Sequence, residues 1–300
     1  MAPATMAGSP TRRRAWRVHP RWFVLLAAFA AGSIPLIAVH AVPLTAEYAI
    51  FVVLVGYAAV GSSAAFAWSW TPWLAAIVAL DDLRGIQAVG PQPHAGDVAR
   101  FESWVFAGHQ PVIELQHAWA GASGTLRLHD IALSAVYLMH SPAPLICGAA
   151  LWRWHRELFT PYVATLVSVA AAGLVTYLLF PESPPWLAAD HGAIPAVRRI
   201  VSEVMTHAGP LSNVYAGADP LPDAAMPSLH VSYPVIVAWW TAVAFGRRAW
   251  WVFAYPASIC VGVVYLGEHW VVDVVAGIAY AAGAILLGRR LQRTRLHSPA

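Results

Sequence analysis

The chain reads as an all-α, polytopic transmembrane bundle of about eight helices, six being the lower bound, and three observations lead there. Of its 300 residues, 59% are hydrophobic and only 11% are charged, against about 25% charged in an ordinary soluble domain. Its apolar residues gather in runs close to the roughly 20 residues that carry a helix across a bilayer. Arginine clusters flank these runs, and arginine at span ends sets which side faces the cytoplasm. All 18 basic residues are arginine. With no lysine, Schiff-base and P-loop chemistry are excluded.

Taken in order, the apolar segments are Trp22–Val42, Ala46–Phe66, Thr71–Ala88, Leu128–Trp152, Tyr162–Phe180, His230–Phe245, Trp250–Leu266 and His269–Leu287. The first follows a basic tail, residues 1–21, with arginines at 12, 13, 14, 17 and 21. That cluster suits retention in the cytoplasm better than a nucleic-acid arm, and the run after it is long for a cleavable signal. The third segment is the weakest, since Asp81, Asp82 and Arg84 fall near its end. Arg153 and Arg156 mark one short loop as cytoplasmic, and Arg247 and Arg248 another. Arg289, Arg290, Arg293 and Arg295, in the tail 289–300, put the C-terminus inside as well. The stretch before Leu128 is then outside, which requires three crossings before it. One membrane domain over residues 22–288 is expected, with segments 89–127 and 181–229 on the extracytoplasmic side and the catalytic half at about 128–288. Residues 89–127 carry tryptophans at loosely helical spacing, as helices lying on a membrane surface do.

On this topology three polar devices meet at the outer face: Pro181–Trp186, Ser228–His230 and His269–Asp273. Ionisable groups placed at membrane helix mouths are costly and are candidates for function. His269 and Asp273 stand four apart, so a helix would put them on one face, where the carboxylate fixes the imidazole tautomer. In "PSLH", the proline before Ser228 suggests a helix start whose hydroxyl and N–H groups face an anion. Two histidines, a carboxylate and an anion cradle suit phosphoryl transfer through a phosphohistidine, one imidazole attacking and the other protonating the leaving oxygen. The same residues compete as a metal site, but no fourth ligand stands at a suggestive spacing, so neither metal nor cofactor is expected. Asp130, Ser134, Tyr137 and Ser141 form a polar stripe that should face the bundle interior. Gly277 and Ala281, one turn apart, read as a close helix contact. Cys147 and Cys260 lie in apolar runs without a CxxC partner, which argues against a disulfide framework.

"MPSLH" and "YLGEHWVVDVVAG" resemble the second and third signature motifs of the type-2 phosphatidic acid phosphatase superfamily. With "LFPESPPW" (Leu179–Trp186), the triple is similar to the branch containing fungal inositol phosphorylceramide synthase and its actinobacterial relatives. The resemblance covers roughly residues 128–288. It implies that His269 is the nucleophile, Asp273 its orienter, His230 the general acid and then base, and Ser228 a phosphate contact. The superfamily's first motif carries a lysine and an Arg-Pro pair, and its third an arginine where this chain has Val263. Phosphate must then be held otherwise, with Arg84, Arg198 and Arg199 as candidates.

The expected activity is a membrane-embedded transfer of a phosphate-containing, inositol-phosphate-like headgroup between lipids, on the extracytoplasmic face. The alternative is hydrolysis of a lipid phosphate or polyprenyl pyrophosphate, which shares the intermediate. A rival of another class is a proton-coupled transporter, but the apolar runs show no matching midplane Gly/Pro breaks. The expected partners are a phospholipid or polyprenyl phosphate and the membrane, not nucleic acid; the sequence leaves the oligomeric state open.

Overall fold

The computed structural model describes residues 91–122, 124–208 and 223–297, together with Ser69, Trp70, Trp73, Ala76 and Leu80. These fall in one unit, Ser69–Ala300; the other, Met1–Trp68, lies outside the described residues. So do the first two expected spans, most of the third, and Arg84.

Two short helices open the described chain, α1 (Gly96–Val105) and α2 (Pro111–Trp119). Pro111 occupies the first turn of α2, where its missing N–H and fixed φ cost nothing. Helix α1 buries Val98, Ala99 and Glu102 while Phe101, Trp104 and Val105 stay exposed. Its inward face therefore carries a carboxylate and its outward face is aromatic.

Next come α3 (Leu128–Leu138) and α4 (Pro142–Trp154), bent by 53° at their junction. Pro142 sits in the first turn of α4, where it has no N–H with which to continue the hydrogen-bond ladder of α3. The polar stripe follows this break: Asp130, Ser134 and Tyr137 are buried, whereas Ser141, past the bend, is exposed. Helix α5 (Arg156–Leu179) is apolar almost throughout and long enough, at 24 residues, to span a bilayer.

After α5 the chain forms α6 (Pro185–Asp190), α7 (Ile200–Thr206), α8 (Leu229–Phe245), a 3-10 segment (Gly246–Phe253), α9 (Ala254–Tyr265) and α10 (Val271–His297). Among the described residues there is no β-strand, only single-residue bridges joining His94 to Glu182 and Glu182 to Ala224.

Among the described residues, three runs are long and apolar enough to cross a membrane: Arg156–Leu179, Leu229–Tyr265 and Val271–Arg293; the bent α3–α4 pair makes a fourth if it is one span. Leu229–Tyr265 is not one straight rod. Gly246 takes φ +68°, the left-handed region that favours glycine, and α8 and α9 pack against each other across the break. Val175, Leu179, Val243, Val275, Ile278 and Leu286 are exposed on the outer faces of these runs. Water penalises such a surface, whereas lipid tails solvate it.

Helix α8 is the hub, packing against α4, α5, α9 and α10. Its contact with α10 is tight because position 277 is glycine: a Cβ there would sit 2.5 Å from the Ser228 carbonyl oxygen. Ser232 fastens the same crossing by donating to the Gly277 carbonyl at 2.9 Å. Gly277 thus works as the close contact expected of it, and it decides where the start of α8 lies.

Candidate active site

The site forms where the start of α8 meets the start of α10. Ser228 is the N-cap residue of α8, is fully buried, and its N–H donates to the Asp273 carbonyl at 3.2 Å. An N-cap serine ordinarily accepts from the N–H groups of its own first turn. Here the Ser228 hydroxyl makes no such bond and has no hydrogen-bond partner among the described residues. The next helical position but one brings His230 to the same mouth.

His269 and Asp273 are brought together, though not on one face of a helix. Helix α10 begins only at Val271, so His269 lies in the turn before it. Asp273 is the third helical residue, and its Oδ2 accepts the Trp270 N–H at 2.9 Å, the reciprocal half of a capping box. The same oxygen lies 3.3 Å from His269 Nδ1. The carboxylate therefore caps the helix and fixes the imidazole at once. His269 is nearly buried, at 4% exposure, and its Nε2 is 3.1 Å from His230 Nδ1. With the proton on His269 Nδ1 held towards Asp273, Nε2 keeps its lone pair.

The turn holding His269 is pinned from several sides. Gly267 has φ +84°, and a Cβ there would meet the Arg198 carbonyl at 2.6 Å. Gln116 clamps the same place, donating to the Arg198 and Tyr265 carbonyls at 2.8 and 2.9 Å while its Oε1 accepts the Arg198 N–H. The Pro181–Trp186 segment docks from the other side: Trp270 Nε1 donates to the Ser183 carbonyl and the Trp186 N–H to the Gly267 carbonyl. Its prolines make it a rigid shelf beneath the histidine.

Two of the three candidate arginines are paired with carboxylates. Arg198 forms a two-pronged ion pair with Glu203 and donates to the Gly121 carbonyl at 2.9 Å. Arg199 pairs with Glu268 at 2.9 Å and lies over the Trp186 ring. Arg199 thus braces its loop against the turn that holds His269, and Arg198 ties the same loop to the segment after α2. Arg84 is outside the described residues.

Three neighbours escaped the sequence reading. The Tyr137 ring stacks on His230 with centroids 4.2 Å apart, and His140 packs on the same ring at 4.0 Å. His140 in turn approaches the Ser141 hydroxyl at 3.0 Å. Tyr137 belonged to the polar stripe, but nothing in the sequence showed which neighbour it would meet, and His140 was one of 13 histidines. Glu102 reaches from α1 to accept the Val271 and Val272 N–H groups at the start of α10. Burial raises its pKa to about 7, opposed by those two N–H groups and assisted by Asp273.

An imidazole pair, one member buried and held by a carboxylate and the other half-buried at the helix start with the unused Ser228 hydroxyl, is a centre suited to nucleophilic and acid–base work on an anion. Comparison with protein families matches residues 96–287 to the PAP2 superfamily, and the chain belongs to that superfamily. Two curated relatives are similar to it. One is the phosphoinositol dihydroceramide synthase of Bacteroides thetaiotaomicron, 25% identical over 178 residues, which covers 55% of this chain and 55% of that protein. The other is the inositol phosphorylceramide synthase catalytic subunit of Schizosaccharomyces pombe, 24% identical over 171 residues, or 54% of this chain and 40% of that protein. The chain thus spans about half the length of the curated relatives it matches. No solved structure matches.

Proposed function

We propose that this protein is an integral membrane phosphotransferase that moves a phosphate-containing headgroup, of the inositol-phosphate type, from one lipid to the hydroxyl of another. The observation that carries the reading is the relay Asp273–His269–His230, with contacts of 3.3 and 3.1 Å beside the Ser228 hydroxyl. The family membership and the names of both relatives support the substrate class.

His269 Nε2 attacks the phosphorus of the donor lipid, and the bond to the lipid alcohol oxygen breaks. That oxygen leaves with a proton from His230, giving a neutral alcohol and the headgroup phosphate joined to His269 through a P–N bond. Asp273 stabilises the charge that develops on the His269 ring. The acceptor hydroxyl then gives its proton to His230 and attacks phosphorus, which restores both histidines. The Ser228 hydroxyl donates to a phosphate oxygen throughout. Tyr137, stacked flat on His230, holds that ring in its working orientation. The arginine pattern of the sequence supports an extracytoplasmic face for this chemistry.

Water in place of the acceptor would make the same site a hydrolase. Purified full-length protein in lipid nanodiscs, given headgroup-labelled phosphatidylinositol with and without ceramide, distinguishes the outcomes. A new labelled sphingolipid is expected. Release of labelled inositol phosphate regardless of ceramide would indicate hydrolysis. Neither product from any of a panel of phospholipids and polyprenyl phosphates would remove the reading.

A further inference from the structure

Three carboxyl groups converge on the start of α10, and only two have a hydrogen-bonding duty there. Asp273 uses Oδ2 for Trp270 and His269, and Glu102 uses Oε1 for Val271 and Val272. Glu182 is the third. It is fully buried, and both of its carboxyl oxygens lack a hydrogen-bond partner, as does Asp273 Oδ1. Its backbone gives the side chain no freedom to leave: the Glu182 N–H donates to the Asp223 carbonyl at 2.8 Å, and its carbonyl accepts the Ala225 N–H at 3.2 Å. The next residue, Ser183, accepts from the Trp270 indole, so Glu182 is held against the turn that carries His269.

The unpartnered oxygens of Glu182 and Asp273 Oδ1 are buried in adjoining segments, and two neighbouring carboxyl groups in a dry site cannot both be ionised. The carboxyl groups whose charge bears on Glu182 are Asp273 on α10 and Glu102 and Asp97 on α1, while His94, which bridges to Glu182 through the backbone, is paired with Asp97 at 2.5 Å. None of the described partners supplies a cation to Glu182. Burial first, and the neighbouring Asp273 second, drive its pKa far above the usual carboxylate range.

We infer that Glu182 is a neutral carboxylic acid that donates its proton to Asp273 Oδ1 and acts as a positioning residue for the Asp273–His269 pair. The inference rests on the proposed reading of His269 as nucleophile. One proton satisfies Asp273 Oδ1 and a Glu182 oxygen together. It also turns the Asp273 carboxylate so that Oδ2 faces His269 and Trp270, which holds the imidazole in one orientation.

Infrared difference spectroscopy and kinetics on the full chain in nanodiscs test this. At pH 8.5, where Glu102 is ionised, the wild type minus E182Q spectrum should contain the carbonyl stretch of a protonated carboxyl. E182Q, whose amide N–H replaces the acid's donor, should keep activity within a few-fold of wild type. E182L should lose kcat by about tenfold or more, with little change in KM, because the carboxylate is no longer aimed. Absence of the band, or E182Q as impaired as E182L, overturns the inference. Should E182L fail to fold, the band and E182Q decide alone. A wild type without any lipid activity would count against the proposed function, and the band would still report on the Glu182 proton.

Discussion

His230 and His269 are separated by 39 residues, yet Nδ1 of the first lies 3.1 Å from Nε2 of the second. The Asp273 carboxylate holds His269 at Nδ1, whereas His230 stacks on Tyr137 and His140. His269→Ala should therefore abolish turnover and any acid-labile phosphoprotein. His230→Ala should lose turnover but still label from a substrate whose leaving group needs no proton. Asp273→Asn should keep the fold and lose kcat by about 10²-fold or more, because an amide can favour the wrong tautomer. Label trapped on His230 would reverse the assignment.

The arginines separate by their partners. Arg198 is engaged with Glu203 and the Gly121 carbonyl, so Arg198→Ala should lower the melting temperature more than it lowers kcat. Arg84→Ala is expected to depress turnover more strongly, with only partial rescue by lysine, which lacks the two-pronged fork. Parallel melting and rate measurements on both variants check this; equal and mild effects would place the anion contact elsewhere.

Gly277→Ala tests the helix crossing. The new Cβ would meet the Ser228 carbonyl at 2.5 Å, forcing the start of α8 away from α10. A displacement near 1 Å at reacting groups costs about 10²-fold in rate. Circular dichroism should show unchanged helix content while kcat falls by roughly that factor.

Glu102 gives stability a pH dependence of definite sign. Its pKa rises from 4.5 to about 7 on folding, chiefly through burial. The native state thus holds the proton more tightly, and the associated stability is present below about pH 4.5 and lost as pH rises through about 7. Across that window the melting temperature of the wild type should fall relative to Glu102→Gln. A difference that stays constant with pH would show that Glu102 does not titrate there.

Topology can be read directly. In a background without Cys147 and Cys260, cysteines at Arg153 and Arg247 should react with an impermeant reagent only after lysis. Those at Ala107 and Gly192 should react in intact cells. Labelling of Ala107 only after lysis would overturn the outer placement of α1 and α2.

Much of this molecule is local and therefore legible in the chain. Membrane-length apolar runs such as Arg156–Leu179 and Val271–Arg293 follow from composition, because lipid imposes one rule on every residue of a span. The helix start read from the proline before Ser228 is where α8 begins, whereas the break at Pro142 inside the expected span Leu128–Trp152 went unread. The motif histidines and Asp273 stood out because ionisable groups are rare in such surroundings. What the sequence could not decide depends on contacts between distant segments. His269 proved to lie before α10 because Asp273 caps that helix instead of sharing a face with it. Arg198 and Arg199 found carboxylates at Glu203 and Glu268, and Tyr137 and His140 found His230. Glu182 acquired its meaning only when the proline shelf brought it to Asp273. A charge pattern along the chain shows which groups must find partners; packing alone selects which partner each one meets.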